Sequence, residues 1–262
     1  MRAMLLHHLH RGEGLPVILL HGLFGSAANL GMVARGLAAD YSVYSLDLPN
    51  HGRSPRTANM SYTDMADAVA RFIARQELGS CYVLGHSMGG KVAMQLALDY
   101  QDLVGKLVVA DIAPVQYPAH HDQVLAGLRA VEEAAPADRK GADAVLSEHV
   151  LDVGVRAFLL KSWQKDARGH WHWLINIDSV TANYGRLGEP NRPGRHSHSF
   201  NGDTLFIAGA ASDYLQPEHR DDILDLFPRA QVKIIEGTGH WLHAEKPQIF
   251  NRLVSRFLAA ER

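Results

Sequence analysis

The sequence has little cysteine and no long apolar run. Cys81 is the single cysteine among 262 residues, so no disulfide can form within the chain. A chain without disulfides is typical of a reducing compartment, and we expect a cytoplasmic protein. No apolar stretch approaches the ~20 residues that cross a membrane as a helix, and residues 1–11 lack the apolar core of a secretory signal. We therefore expect no membrane span.

The sequence also lacks an excess of charge of one sign. Lys and Arg number 26, and Asp and Glu number 28, so the net charge does not favour a polyanionic partner and we expect no nucleic-acid binding. The 16 histidines are scattered, without acidic or cysteine partners at metal-ligand spacing. We expect neither a metal nor a cofactor, and a small molecule as the partner of a monomer or homodimer.

Short apolar runs alternate with helical patterns over much of the chain. The runs that predict buried strands are residues 17–21, 42–47, 81–86, 106–111, 204–208 and 231–236. Capping-box spacing at Ser61 and Asp64 predicts a helix over residues 65–78, and an early proline begins another predicted over 247–260. This order predicts an α/β fold with a mostly parallel central sheet and helices on both faces.

The alternation stops between residues 111 and 203. Periodicity there predicts helices over 121–134, 142–151 and 155–163, followed by an aromatic patch. Because one large core can hold a chain of this length, we expect a single core domain, residues 1–111 and 203–262. Residues 112–202 are then an inserted, mainly helical cap.

A glycine-rich turn joins the predicted strand 81–86 to the helical run that follows it. Residues 85–89 are Gly-His-Ser-Met-Gly. A serine on such a tight strand-to-helix turn projects its hydroxyl out of the sheet, and flanking glycines relieve collisions with neighbouring backbone. Ser87 is therefore the candidate nucleophile, although a G-x-S-x-G pattern alone is also compatible with an ordinary turn.

A second glycine-rich turn, residues 21–26, follows the first predicted strand. Such a turn can direct a backbone N–H toward a developing oxyanion, and we assign this role to the N–H groups of Leu23 and Met88. A phosphate-binding loop is the weaker interpretation, because the Lys-Ser/Thr pair and the third glycine of the known phosphate loops are missing.

The general base is predicted in the loop after the last strand, where Gly239 and His240 follow Gly237. An imidazole, with an ordinary pKa near 6.5, can accept the serine proton and return it to a leaving group. We choose His240 over His243, which fits packing or capping better. His86 lies beside the nucleophile on the opposite side of a two-residue alternation and is interpreted as structural.

The acid that orients the histidine is ambiguous in the sequence. The loop after the next-to-last strand has Ser212 where an aspartate is common, with Asp213 one residue later. Asp111 ends the strand that follows the Ser87 helix, so its carboxylate can reach the same edge of the sheet. We favour Asp111, with Ser212 or Asp213 giving His240 a second hydrogen bond, because a hydroxyl alone cannot stabilise an imidazolium by charge.

In this order, the motifs at residues 21–22, 47–54, 85–90 and 239–241 resemble the α/β-hydrolase family over essentially the whole chain. Residues 21–26, 111–115, 158–162 and 240–247 resemble the YbfF-type esterases more closely. The resemblance implies hydrolysis of short and medium acyl esters, and of acyl-coenzyme A thioesters. In that group a serine also replaces the usual acid after the seventh strand, which matches Ser212 and supports Asp111.

Two features bear on the substrate. His120 and His121 stand where that group leads us to expect basic residues, so a contact there with a coenzyme A phosphate is not supported. Apolar side chains of the cap are predicted to form a wall for an acyl chain, namely Phe158, Leu159, Trp163, Trp171 and Trp173. Phe24, His86 and Trp241 are further residues that we predict to line the substrate pocket. Ordinary packing within the cap is the alternative for several of these aromatics.

The predicted reaction is acyl transfer from an ester to water through a Ser87 acyl-enzyme. Serine at position 87 argues against a dehalogenase, which needs a carboxylate there. A carbon–carbon bond hydrolase or a cofactor-free haloperoxidase would keep the same serine and histidine. A non-catalytic binding protein that retained the pocket is the alternative from a different class.

Overall fold

A computed structural model describes residues 5–260. Its strands are β1 (His8–Arg11), β2 (Leu15–Leu20), β3 (Tyr41–Leu46), β4 (Cys81–His86), β5 (Val104–Ala110), β6 (Trp163–Lys165), β7 (Trp171–Trp173), β8 (Asp203–Gly209) and β9 (Ala230–Ile235). Its α-helices are α1 (Gly31–Leu37), α2 (Tyr62–Arg75), α3 (Met88–Asp99), α4 (Asp122–Ala134), α5 (Arg139–Ser147), α6 (Val153–Leu159), α7 (Ile177–Leu187), α8 (Arg220–Leu226), α9 (Leu242–Glu245) and α10 (Pro247–Ala259). Short 3₁₀ helices lie at Ala27–Leu30, Gln101–Leu103, Leu160–Ser162 and Pro217–His219.

The central sheet has seven strands in the order β1-β3-β2-β4-β5-β8-β9. All neighbouring strands run parallel except β1, which pairs antiparallel with β3 at the edge. The predicted α/β class and mostly parallel sheet are confirmed, and each of the six predicted strands is present with ends shifted by a few residues at most. Strand β1 was not predicted, because its sequence, His-Leu-His-Arg, has no apolar run and is largely exposed.

Two hydrophobic cores cover the two faces of this sheet. On β2, Ile18 and Leu20 belong to one core and Val17 and Leu19 to the other, as the two-residue period of a strand requires. The first core includes apolar residues of α2, α3 and α8, and the second includes those of α1 and α10. Helices on both faces are therefore confirmed. Ser61 accepts a hydrogen bond from the Asp64 N–H, so the predicted capping box begins α2, three residues before the predicted start.

Residues 112–202 contain α4 to α7 and the antiparallel β6–β7 hairpin, which does not join the central sheet. The helix predicted over 155–163 ends at Leu159, because a 3₁₀ turn follows and Trp163 begins β6. The helix predicted over 142–151 lies instead at Arg139–Ser147, and α7 was not predicted. We call residues 112–202 the insertion; their role as a cap stays a prediction.

Candidate active site

Ser87 lies between β4 and α3 in a strained backbone conformation, with φ 54° and ψ −121°. A non-glycine residue at such angles costs on the order of 1–3 kcal/mol and is characteristic of functional turns. The flanking glycines are required by close packing. A Cβ on Gly85 would lie 2.1 Å from the Gly89 carbonyl oxygen, and one on Gly89 would lie 2.3 Å from the Leu20 carbonyl oxygen. The turn therefore holds the Ser87 hydroxyl at the carboxyl end of the sheet.

Three side chains that are distant in sequence form a hydrogen-bonded row at this edge. The His240 Nε2 atom is 3.0 Å from Ser87 Oγ, and His240 Nδ1 is 2.7 Å from Asp111 Oδ2. Asp111 is completely buried, whereas the His240 side chain is 21% exposed. The arrangement can pass a proton from the hydroxyl to the imidazole while a buried carboxylate fixes the ring.

The Asp111 carboxylate is held by several donors. It follows β5 at φ 54°, and its own N–H donates to the Ile207 carbonyl at 2.8 Å. The Gly209 N–H donates to Oδ1 at 2.9 Å, and the Ser212 hydroxyl donates to Oδ2. These bonds satisfy a buried charge that would otherwise be costly.

Two predictions about the acid are corrected by this geometry. The Ser212 hydroxyl bonds Asp111 rather than His240, because the carboxylate lies between the serine and the ring. Asp213 is exposed, and in the part of the chain that the structure describes its carboxylate makes no hydrogen bond to His240. Ser212 is buried beside the Asp111 carboxylate, whereas Asp213, one residue later in the chain, is exposed.

Leu23 and Met88 both border the space beside Ser87. Leu23 lies within a tight turn closed by a 3.0 Å bond from the Gly25 N–H to the Gly22 carbonyl, and Met88 is the first residue of α3. Among residues 5–260, neither the Leu23 N–H nor the Met88 N–H donates to a protein acceptor. Two backbone donors without acceptors next to a serine hydroxyl can bind an oxyanion.

Two buried histidines surround the His240 loop without reaching the serine. His86 Nε2 lies 2.8 Å from the His240 carbonyl oxygen, and the His86 ring contacts the rings of His240 and His243, with centroids 4.8 and 4.4 Å away. Burial lowers the pKa of His86 well below its ordinary value and lowers that of His243 to about 4. Both rings are therefore neutral near pH 7, and the His86 ring supports the loop through its hydrogen bond to the His240 carbonyl.

A second histidine pair fixes the Leu23 loop. The Leu48 N–H donates to His21 Nε2 at 3.0 Å, and the Phe24 N–H donates to His51 Nε2 at 3.3 Å. Both rings must therefore be unprotonated at Nε2, and burial lowers the pKa of each, to about 3 for His51. This network connects residues 21–24 to the turn over residues 47–54.

Sequence reasoning missed Tyr214, whose ring stacks on His240 with centroids 4.1 Å apart and planes at 27°. Its hydroxyl lies 2.5 Å from His120 Nε2, and its carbonyl accepts a hydrogen bond from the Tyr117 hydroxyl. The stacked phenol restricts rotation of the His240 ring. The one signal in the sequence was its position two residues after Ser212, which is too weak to single out a tyrosine.

Ser87 lies between two cavities. The first, which we call the apolar cavity, has a volume of about 520 Å³ and is bordered by five predicted pocket residues, namely Phe24, His86, Phe158, Leu159 and Trp241. The second, which we call the polar cavity, has a volume of about 270 Å³ and is bordered by Lys91, Tyr117, His120, His121 and Tyr184. Leu23, His121 and Tyr214 border both.

The prediction that Trp163 lines the pocket is wrong. Trp163 is 1% exposed, and its ring packs against Trp171 and Trp173, with centroids 6.2 and 4.9 Å away. The β6–β7 hairpin packs the three rings against one another within the insertion, because Trp163 pairs with Trp173 across the hairpin. Trp171 and Trp173 are likewise absent from the residues that line the apolar cavity.

Two further observations concern metal ions and membranes. Within residues 5–260, no group of three or more His, Cys, Asp or Glu side chains is arranged to hold a metal ion. Over the same described range, none of the helices combines the length and apolar character needed to span a bilayer.

Comparison with known proteins places this geometry in a family. Residues 16–247 match the family described as alpha/beta hydrolase fold. The chain is 38% identical to the esterase YbfF of Escherichia coli (strain K12) over 93% of this chain and 92% of the relative. It is also 38% identical to the sn-1-specific diacylglycerol lipase ABHD11 of Mus musculus, over 93% of this chain and 80% of the relative.

A solved structure agrees with these relatives. A marine microorganism esterase superposes with a TM-score of 0.93 at 37% identity, covering 97% of this chain and 100% of the other. Because the family match spans most of the sequence and these relatives align over nearly all of it, this protein belongs to the α/β-hydrolase fold family and, within it, to the YbfF-type esterases.

Proposed function

We propose that this protein is a serine esterase that hydrolyses short- to medium-chain acyl esters through an acyl-enzyme on Ser87. The observation that carries the proposal is the hydrogen-bonded row of Ser87, His240 and Asp111, with separations of 3.0 and 2.7 Å. A serine hydroxyl in contact with an imidazole, itself oriented by a buried carboxylate, is the arrangement that activates serine as a nucleophile.

The first half-reaction acylates the serine. Ser87 Oγ attacks the ester carbonyl carbon while His240 Nε2 takes the hydroxyl proton, and the carbonyl oxygen becomes an oxyanion held by the Leu23 and Met88 N–H groups. The carbon–oxygen bond to the alcohol then breaks, and the proton on His240 moves to the departing alcohol oxygen. Each oxyanion donor contributes roughly 3 to 4 kcal/mol of transition-state stabilisation in enzymes of this kind.

The second half-reaction uses water in place of the alcohol. His240 removes a proton from water as its oxygen attacks the acyl carbon, and the same proton returns to Ser87 Oγ when the carboxylic acid leaves. The Asp111 carboxylate stabilises the transient imidazolium. The three side chains are thus regenerated at the end of each catalytic cycle.

The substrate class is supported by the relatives and by the apolar cavity. One relative is named an esterase and another a diacylglycerol lipase, and both names describe cleavage of carboxylic esters. The apolar cavity offers Phe24, Phe158 and Trp241 to an apolar part of the ester. Acyl-coenzyme A thioesters are the second substrate we propose, since a thiolate leaves the same tetrahedral intermediate.

The insertion is proposed to act as a cap over the site. Phe158 and Leu159 belong to α6 of the insertion, whereas Phe24 and Trp241 belong to loops of the sheet region, and all four border the apolar cavity. A substrate in that cavity would be enclosed between the two parts, which excludes water from its apolar groups.

Labelling with a fluorophosphonate probe, combined with p-nitrophenyl acetate and butyrate hydrolysis, tests the proposal. We expect the wild-type protein to be labelled on Ser87, and Ser87→Ala to lose labelling and to lower kcat/KM by roughly 10⁴ to 10⁶. Ser80→Ala, at an exposed serine outside both cavities, is the matched control and keeps both properties. An unlabelled, inactive wild-type protein, or unchanged turnover by a folded Ser87→Ala variant, would overturn the proposal.

A further inference from the structure

The two cavities beside Ser87 differ in their relation to the catalytic histidine. His240 borders the apolar cavity together with Trp241 and is not among the residues that line the polar cavity. The polar cavity instead reaches Met88 and Ile112, on the side of Ser87 where α3 begins. An ester bound at Ser87 therefore has two different spaces for its two substituents.

The proton transfers decide which substituent goes to which side. When the tetrahedral intermediate collapses, the alcohol oxygen keeps the electron pair of the broken carbon–oxygen bond and takes the proton from His240 Nε2. That oxygen must lie within hydrogen-bond distance of the imidazole. The acyl substituent neither gains nor loses a proton, and the oxyanion occupies the Leu23 and Met88 donors, so the acyl chain extends away from His240.

We propose that the acyl group of the substrate occupies the polar cavity and the alcohol or thiol leaving group occupies the apolar cavity. This assignment rests on the proposed esterase function and specifies its substrate. It reverses the expectation from the sequence that the aromatic residues wall an acyl chain. The aromatic side chains Phe158 and Trp241, whose rings lie 5.9 Å apart, instead contact the leaving group.

The polar cavity suits a short acyl group. Its volume, about 270 Å³, is roughly half that of the apolar cavity, about 520 Å³. Lys91 borders it and donates to the Val115 and Glu189 carbonyl oxygens at 2.5 and 3.0 Å, which ties α3 to both ends of the insertion. Because these bonds fix one wall, the cavity cannot widen for a long chain without losing them. The apolar cavity accommodates the longer apolar alcohol.

Two variants that each fill one cavity distinguish the assignments. A Cβ added at Gly185, on α7 beside the polar cavity, meets no atom within 4 Å, so Gly185→Leu places its side chain in open space. Ala157, on α6, is exposed and borders the apolar cavity, so Ala157→Leu fills that side. Ala182→Leu, at an exposed position of α7 that borders neither cavity, is the matched control.

Each variant is measured with two series of esters. One series varies the acyl group, from p-nitrophenyl acetate to butyrate and hexanoate. The other varies the alcohol, from ethyl to butyl and octyl acetate, and its hydrolysis is measured by the release of acid. We expect Gly185→Leu to lower kcat/KM for hexanoate relative to acetate by about tenfold, with the octyl-to-ethyl ratio unchanged. We expect Ala157→Leu to lower the octyl-to-ethyl ratio by about tenfold, with the hexanoate-to-acetate ratio unchanged.

The exchanged pattern, in which Gly185→Leu affects the alcohol series and Ala157→Leu the acyl series, would overturn the assignment. Equal effects of each variant on both series would also overturn it. If Gly185→Leu does not fold, Ala119→Leu fills the polar cavity from an exposed loop and gives the same comparison. Failure of the esterase function itself is distinct, because the wild-type protein would then hydrolyse neither series.

Discussion

Ser212 donates its hydroxyl hydrogen to Oδ2 of Asp111, the same carboxylate oxygen that faces His240. The two residues end up together because β5 and β8 are adjacent and parallel, with Ala110 opposite Ile207. The loops after these strands therefore open at the same point of the sheet, and an acid at the end of either strand can reach His240. Here the carboxylate comes from the β5 side and the β8 side supplies a hydroxyl that completes its hydrogen bonding.

This arrangement predicts unequal effects of two isosteric substitutions. Asp111→Asn keeps the shape but removes the charge that stabilises the imidazolium, so we expect kcat on p-nitrophenyl acetate to fall by roughly 10⁴-fold, as in other Ser-His-Asp enzymes. Asp213→Asn is the matched control, because its side chain is exposed and makes no hydrogen bond to His240 in the described structure. Equal mild losses in the two variants would exclude Asp111 as the acid.

The Ser87 turn predicts a sharp difference between two glycine substitutions. Gly85→Ala would place a Cβ 2.1 Å from the Gly89 carbonyl oxygen, which is fixed backbone, so we expect a loss of roughly 3 kcal/mol or more in the free energy of unfolding. Gly185→Ala adds a methyl group with no neighbour within 4 Å to a helix, and we expect a gain of roughly 0.5 to 1 kcal/mol. Urea denaturation midpoints at constant m-value measure both. A fully stable Gly85→Ala variant would contradict the packing described for the turn.

The buried histidines predict how stability depends on pH. Burial lowers the pKa of His51 to about 3, whereas a histidine of the unfolded chain titrates near 6.5. Between these values the unfolded chain binds a proton that the folded chain excludes. His51 therefore contributes full stability above about pH 6.5, and the free energy of unfolding decreases as pH falls below it, by about 1.4 kcal/mol per pH unit.

Urea denaturation at pH 7 and pH 5 measures this slope. His51→Gln keeps an oxygen that can accept the Phe24 N–H but has no titrating group, so we expect it to lose less stability than the wild-type protein between the two pH values. His196→Gln, at an exposed position, keeps the wild-type slope. Identical slopes for all three proteins would mean that His51 binds its proton in the folded state.

Patterns that depend on one strand and its own turn were predictable from the sequence. The tight turn at Ser87 and the strand β4 before it belong to this class, because glycine spacing and apolar runs act locally. The contact between Ser212 and Asp111 was not predictable, since it depends on which strands are neighbours and on the length of each loop. The stacking of Tyr214 on His240 depends on the same two loops.

The insertion was less predictable than the sheet, because its helices are amphipathic and bury their apolar residues against one another. The sequence of the insertion does not distinguish an aromatic residue that lines a cavity from one that packs inside, and Trp163 illustrates the ambiguity. Pairing across the β6–β7 hairpin, which brings Trp163 opposite Trp173, resolved it.

The different positions of two aromatic residues in the insertion predict opposite behaviour on truncation. Trp163 is 1% exposed and packs on two other tryptophans, so Trp163→Ala removes a large core side chain, and we expect a loss of roughly 3 to 5 kcal/mol in the free energy of unfolding. Phe158 is partly buried and borders the apolar cavity, so Phe158→Ala is expected to cost less than half as much stability and to raise KM for octyl acetate. Urea denaturation and steady-state kinetics on both variants separate these effects. A Trp163→Ala variant with wild-type stability and a raised KM would contradict the packing of Trp163 inside the insertion. It would show instead that the ring contacts the substrate.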